Sequence, residues 1–184
     1  MHRRRFFMGL TASLALPLPL ALRAPAVATA LPGDRAHASF ARGIIAPGHP
    51  MPAMTAPTVE GREISLATLR GEALWINCFA TWCEPCNQEM PTIVSAAKRY
   101  AARGLRVLGI SMSESASAIP PFAKRFGIAF PIVLDHEQAT NVWGITDIPT
   151  SIFVDAGGIV RSIHLGELER REALAAIESV LSRA

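Results

Sequence analysis

Residues 73–86 read Ala73-Leu74-Trp75-Ile76-Asn77-Cys78-Phe79-Ala80-Thr81-Trp82-Cys83-Glu84-Pro85-Cys86. The run from Ala73 to Ala80 is almost continuously apolar. That suits a strand covered on both faces, in a sheet flanked by helices. From Cys83 to about Ala102 the period changes. Met90, Ile93, Val94, Ala97 and Tyr100 follow helical spacing, charge gathers at Lys98, Arg99 and Arg103, and Gly104 closes the segment. A buried strand that turns directly into a helix sets Cys83 at the helix N-terminus. There, unpaired N–H groups and the macrodipole favour a negative charge.

Working outward, Glu60-Gly61-Arg62 is a turn between two short extended pieces, and the domain proper starts near Val59. Arg106 to Ser111 is a second strand. Ser115 to Phe126 has a helical pattern, with Pro120 and Pro121 near its start or breaking it. Pro131 to Leu134 is a third strand, followed by a short helix near Gln138–Trp143. Ser151 to Val154 is a fourth strand. Ala156-Gly157-Gly158 turns into Ile159–Leu165, and a last helix spans about Leu168 to Arg183, with Leu174, Ile177 and Leu181 inward. Strands alternating with helices predict an α/β fold, a three-layer α/β/α sandwich around a central mixed sheet. The 184 residues suffice for one such domain.

The N-terminus is different in kind. Arg3, Arg4 and Arg5 precede an uncharged apolar stretch from Phe6 to about Leu22, and Ala28-Thr29-Ala30 ends it. Those are the three parts of an export signal, assigned to residues 1–30. Ala24-Pro25-Ala26 and Ala26-Val27-Ala28 are rival cleavage sites. The apolar run is shorter than the roughly 20 residues a spanning helix needs, and Pro17 and Pro19 interrupt it. An uncleaved anchor is the alternative, the only case in which membrane association is expected. Arg-Arg-Arg-Phe-Phe also has the look of a twin-arginine signal, without its usual flanking residues. Residues 31–44 read as a flexible linker and 45–184 as the folded domain, with Ile44 through Thr58 lying along it. The whole chain carries 18 basic and 15 acidic residues; losing the four arginines of the first 30 leaves 14 against 15. No basic stripe survives to suggest nucleic acid.

Cys78, Cys83 and Cys86 are the only cysteines. Three so closely spaced are no structural disulfide framework. Cys83-x-x-Cys86 alone fits half a zinc site as well as a redox pair. A zinc site needs two more ligands, and His37, His49, His136 and His164 form no ligand-spaced group. The strand before and the helix after select redox chemistry. The helix start stabilises a Cys83 thiolate, the reactive form. Cys83 therefore attacks and Cys86, one turn in, resolves. Pro85 is tolerated in a first helical turn. Cys78, inside the apolar strand, reads as a small hydrophobe. Trp75 and Trp143 read as core. Pro149, in Ile148-Pro149-Thr150 before the fourth strand, is either an ordinary strand-start proline or one with a cis bond, and the motif context favours cis.

The chain from about Ile44 to its end resembles the TlpA/ResA type of thioredoxin-like thiol–disulfide oxidoreductase. The matching stretches are Asn77 through Cys86, Glu89-Met90-Pro91, Phe130 through Asp135, and Ile148 through Asp155. The resemblance implies a cis Pro149 facing the disulfide and a main chain at Ile148 that pairs with substrate. It implies further substrate contacts at Trp82, Glu84 and Pro85, and a kink at Pro91. A thioredoxin proper has a buried Asp six residues before the nucleophile, where this chain has Asn77. The TlpA/ResA type instead has a Glu three residues after the second cysteine, here Glu89. That position lies on the Cys86 side of the helix. Two readings of Glu89 stand: a proton relay to Cys86, or a solvated helix glutamate.

The expected reaction is thiol–disulfide exchange, which needs no organic cofactor beyond the Cys83–Cys86 disulfide. Expected partners are protein thiols and disulfides. The resemblance implies a membrane thiol reductase as electron donor, and apocytochrome c or a copper-site protein as recipient, in the periplasm or at the outer face of the cytoplasmic membrane. The Glu84 carboxylate disfavours the Cys83 thiolate and leans the pair towards a reductant. Two rivals remain. A peroxiredoxin-type thiol peroxidase would carry Thr three residues before its cysteine, where Ala80 stands and Thr81 has the wrong offset. A copper-binding assembly factor would use Cys83, Cys86 and a His such as His136 or His164.

Overall fold

The computed structural model describes residues 45–183. The export signal and linker expected at 1–44 lie outside the described residues. Strands β1 (Thr55–Pro57) and β2 (Glu63–Ser65) form an antiparallel ribbon around the Glu60–Arg62 turn, with Ala56 opposite Ile64. The chain then enters β3 (Ala73–Phe79), all seven residues of which are buried. Helix α1 (Glu84–Tyr100) follows and carries Pro91 inside it. A short 3-10 turn ends at Gly104, whose φ of 91° is the left-handed conformation that glycine adopts without cost.

Next come β4 (Leu105–Ser111), α2 (Ile119–Phe126), β5 (Ile132–Leu134) and α3 (Gln138–Asn141). Pro120 and Pro121 fall in the first turn of α2, where a missing N–H costs nothing, so the prolines start this helix rather than break it. Residues 116–118 form a separate 3-10 turn ahead of it. The chain closes with β6 (Thr150–Val154), β7 (Val160–Leu165) and α4 (Arg170–Leu181).

The five long-sheet strands lie in the order β5-β4-β3-β6-β7. β3, β4 and β5 are parallel; β6 runs antiparallel to both of its neighbours, β3 and β7, so β7 points the same way as β3. This is the mixed sheet expected from the sequence. Alternation along β3 divides the core. Ala73, Trp75 and Phe79 join residues of α1, α2 and α4 on one face. Leu74, Ile76 and Cys78 pack on the other with Met54, Ala56, Leu66, Trp143 and Ile145. Trp75 stacks on Phe153 with ring centroids 5.0 Å apart. Gly109 in β4 is a place where bulk is excluded: a Cβ there would lie 3.0 Å from Phe79 Cε1 and 3.1 Å from Ile132 Cγ1.

Residues 45–58 lie along the domain, as expected. The His49 carbonyl accepts from Val160 N at 2.9 Å, and Met51 N donates to the Gly158 carbonyl at 2.8 Å. Thr58 bridges to Val133 at the opposite side of the sheet. The inward face of α4 departs from expectation. Ala173, Ile177 and Val180 are fully buried, whereas Leu174 and Leu181 are only partly so. The 173/177/180 stripe has helical spacing, and Ala173 has no bulk to hold the helix away.

Candidate active site

The site is assembled where β3 ends. After Phe79 the chain passes through Ala80, Thr81 and Trp82 to Cys83, the N-cap of α1. Cys83 and Cys86 are disulfide-bonded, with an S–S distance of 2.06 Å and Cα atoms 5.3 Å apart. Cys86 N donates to Cys83 Sγ at 3.3 Å, and Asn87 N donates to the Cys83 carbonyl at 3.1 Å. One N–H of the first helical turn, that of Cys86, is thus aimed at the outer sulfur, where it would stabilise a thiolate. The two cysteines differ in access: Cys83 keeps 6% exposure and Cys86 none. Only Cys83 offers an edge to an incoming group. Trp82 is 65% exposed beside it, and Glu84 and Pro85 are exposed on the same turn.

Glu89 is buried, one turn beyond Cys86, which removes the solvated reading. Its Oε1 accepts from Asn77 Nδ2 at 2.6 Å and its Oε2 from Leu168 N at 2.9 Å. Burial pushes its pKa above the usual glutamate range. The Leu168 and Asn77 hydrogen bonds and the charge of His164 pull the other way, while Glu167 adds to the rise.

The Ile148–Pro149 peptide bond is cis. Pro149 is buried, and Gly166 N donates to its carbonyl at 2.8 Å. The next residue, Thr150, sits opposite Cys78 of β3 in the sheet. The cis bond therefore lies at the same sheet end as the loop that carries the disulfide. Ile148 packs against the cluster that contains Cys83 and Cys86.

A strand-to-helix redox disulfide with a cis proline at the neighbouring strand start matches known proteins. Residues 47–163 match the family model described as AhpC/TSA family. The chain belongs to that family. It is 33% identical over 137 residues to the thiol-disulfide oxidoreductase ResA of Geobacillus thermodenitrificans, covering 74% of this chain and 79% of that one. It is 29% identical over 125 residues to ResA of Bacillus subtilis, covering 67% and 70%. Among solved structures, a thioredoxin-family thiol:disulfide interchange protein from Chlorobium tepidum superposes with a TM-score of 0.68 at 32% identity, covering 74% of this chain and 97% of that one. The fold is thioredoxin-like, and the protein is a thiol–disulfide oxidoreductase of the ResA type with Cys83–Cys86 as its redox pair.

The oxidoreductase has site features that its sequence did not announce. Glu114, after β4, accepts from Thr81 N at 3.0 Å, from the Thr81 hydroxyl and from the Ser111 hydroxyl at 2.7 Å. Asn87 Nδ2 reaches the Thr81 carbonyl at 3.5 Å. The loop before Trp82 is thus pinned on both sides. Leu165, opposite Thr150, is 64% exposed, an apolar side chain at the cis-proline end of the sheet. Neither residue lies near the cysteines in sequence, so only the sheet register brings them in. Cys78 is a buried free thiol, and burial, helped by the charge of Asp135, pushes its pKa far up. It is core, as its apolar strand implies. His164 lies with Nε2 3.1 Å from the Glu167 carbonyl oxygen. Among the described residues no three His, Cys, Asp or Glu side chains converge as a metal site, and no helix is long and apolar enough to cross a membrane.

Proposed function

We propose that the protein reduces disulfides of other proteins outside the cytoplasm, in the periplasm or at the outer face of the cytoplasmic membrane. Residues 1–30 serve as the export signal and 31–44 as the linker to the domain. The observation that carries the reading is the buried carboxyl of Glu89 one turn from an occluded Cys86, behind a Cys83 whose edge is open. A resolving thiol with no exposure needs an internal proton acceptor before it can attack.

The cycle starts from the dithiol. The Cys83 thiolate attacks one sulfur of a target disulfide, a mixed disulfide forms and the first target thiolate leaves. Cys86 gives its proton to the Glu89 carboxylate and attacks Cys83 Sγ. The second target thiolate departs, and the Cys83–Cys86 disulfide is left oxidised. Two electrons have passed to the target, and Glu89 returns the proton. A membrane thiol reductase restores the dithiol by the reverse exchange. Trp82, Glu84, Pro85 and the main chain of Ile148 contact the target, with the cis Pro149 holding that backbone in place. Leu165 extends the apolar part of this surface. Glu84 beside Cys83 opposes thiolate formation, which favours a reductant over an oxidant. Apocytochrome c and copper-site proteins are the recipients that fit such a reductant.

The peroxidase alternative draws no support from the loop, where Ala80 has no hydroxyl and the Thr81 hydroxyl is engaged by Glu114. The deciding experiment is Cys86→Ser, which stops the cycle after the first attack. Mixed disulfides on Cys83 are expected to accumulate, and mass spectrometry of the trapped partners would identify the recipients. A Cys86→Ser protein that traps no thiol protein, while the parent turns over hydrogen peroxide with a thiol donor, would replace this reading with the peroxidase one.

A further inference from the structure

Asn77 stands where a thioredoxin has an aspartate, and its surroundings give it more than a filling role. It lies in the middle of β3 with 1% exposure, on the α1 side of the sheet with Trp75 and Phe79. Its Nδ2 donates to Glu89 Oε1 at 2.6 Å and to Ser151 Oγ at 3.3 Å. Ser151 Oγ also accepts from Trp75 Nε1 at 2.9 Å. The other end of the amide, Oδ1, is buried and has no hydrogen-bond partner. A buried amide oxygen left unpaired is costly, and it is normally explained by some second state of the molecule.

Glu89 supplies that second state. In the ionised form both of its oxygens receive an N–H, one from Asn77 and one from Leu168. In the acid form one oxygen carries a proton that needs an acceptor. Leu168 offers only a backbone N–H, so a proton on Oε2 would face a donor. A proton on Oε1 would face the NH₂ of Asn77, again a donor. The one acceptor within this cluster that is not already used is Asn77 Oδ1.

We propose that Asn77 is a positioning residue whose side-chain amide turns over as Glu89 gains or loses its proton. With Glu89 ionised, Nδ2 faces the carboxylate. With Glu89 protonated, the amide rotates by half a turn and Oδ1 accepts from the acid. Ser151 allows this because a hydroxyl can exchange roles: it accepts from Nδ2 in one orientation and donates to Oδ1 in the other, while Trp75 keeps donating to it. In each orientation one end of the amide is left without a partner. Neither state is therefore favoured on that ground, and the proton on Glu89 decides. An aspartate at 77 could not serve this way. Two carboxylates at such a distance share one proton, and the pair could not both ionise. This inference rests on the reading of Glu89 as the proton acceptor of Cys86.

The charged and titratable groups around Glu89 leave the switch to it. β3 and β6 present only the neutral Trp75, Asn77 and Ser151. His164 of β7 and Glu167 of the connection to α4 bring charges of opposite sign, and the disulfide of α1 does not titrate.

The test is a pH titration of the oxidised protein by NMR, following the Asn77 side-chain amide and the Glu89 carboxyl carbon. The Asn77 amide contacts are expected to invert with the Glu89 midpoint, and to stay constant with pH in Glu89→Gln. In exchange assays Asn77→Leu is expected to slow the resolving step about tenfold or more, and to have no added effect on a Glu89→Gln background. An amide that keeps one orientation throughout the Glu89 titration overturns the inference and leaves the Glu89 reading intact. So does an Asn77→Leu protein with parental rate and pH profile. A Glu89→Gln protein with the parental pH profile overturns the Glu89 reading itself. Should Asn77→Leu fail to fold, the titration of the unmodified protein still decides.

Discussion

Glu89 and Asp155 are two carboxylates with equally little exposure, 3% each. Their chemistry diverges because of what faces them. Burial raises both. At Asp155 that rise is outweighed by the Ile159 N–H and by hydrogen bond and charge from Arg161, and the pKa ends below the usual aspartate range. At Glu89 the facing groups are a backbone N–H and a neutral amide, and burial wins. A buried carboxylate with a cation is committed to one charge state and serves as structure: Asp155 ties the β6–β7 turn through Ile159 N at 3.0 Å. The hydrogen-bond donors to Glu89 are both neutral. A facing cation, together with the depth of enclosure, separates the two carboxyls.

The largest effect expected is on exchange. Glu89→Gln keeps the shape and removes the proton acceptor, and turnover of a disulfide substrate should fall about 100-fold or more. Equal rates in the two proteins across the pH range would break the contrast. The stability profiles should differ in sign as well. Glu89 binds its proton more tightly folded than unfolded, so its contribution to stability falls as pH rises from the unfolded to the folded pKa. Glu89→Gln should remove that fall in urea titrations above the usual glutamate range. Asp155 behaves oppositely: its contribution is full above its unfolded pKa and is lost as pH falls through the lower folded one. Asp155→Asn should cost about 1.5–3 kcal/mol at neutral pH by denaturant unfolding, flatten the acid limb and leave exchange rates unchanged. The smallest effects belong to the flanking charges. Glu167→Gln should move the midpoint of the Glu89 carboxyl carbon down in an NMR titration, and His164→Gln should move it up, each by less than about one pH unit.

Much of this site could be read from local sequence, because local order creates it. The apolar run of β3, the helix after it and the Cys83–Cys86 spacing are neighbours along the chain, and each enforces the next. Glu89 was singled out by the family resemblance, and helical periodicity put it on the Cys86 side of the helix. What escaped reading comes together across the sheet. Glu114 reaches Thr81 only because β4 lies parallel to β3, with Ser111 level with Phe79. Leu165 and Ser151 approach the site through the pairing of β6 with β7 and β3. No periodicity along one strand reports which strand will lie beside it. The α4 face was read only in part, Ile177 but not Ala173 or Val180, for a related reason. Leu174 and Leu181 are the more apolar choices, but packing against the sheet selects the stripe in which Ala173 allows close approach.

The stretch from Ile45 to Thr58 acts as a strap. It bonds to the β7 side at Gly158 and Val160, crosses one face with Met54 and Ala56 buried, and reaches β5 at Val133. One segment thus occupies hydrogen-bonding positions on both outermost strands. An outer strand with idle N–H and C=O groups is a template for stray pairing with another extended chain. A thiol–disulfide oxidoreductase meets other protein chains in its reaction. With both rims engaged at these points, fewer backbone groups are left for such pairing. Cutting the strap near Met51 would therefore be expected to expose those rims and leave the molecule prone to self-association.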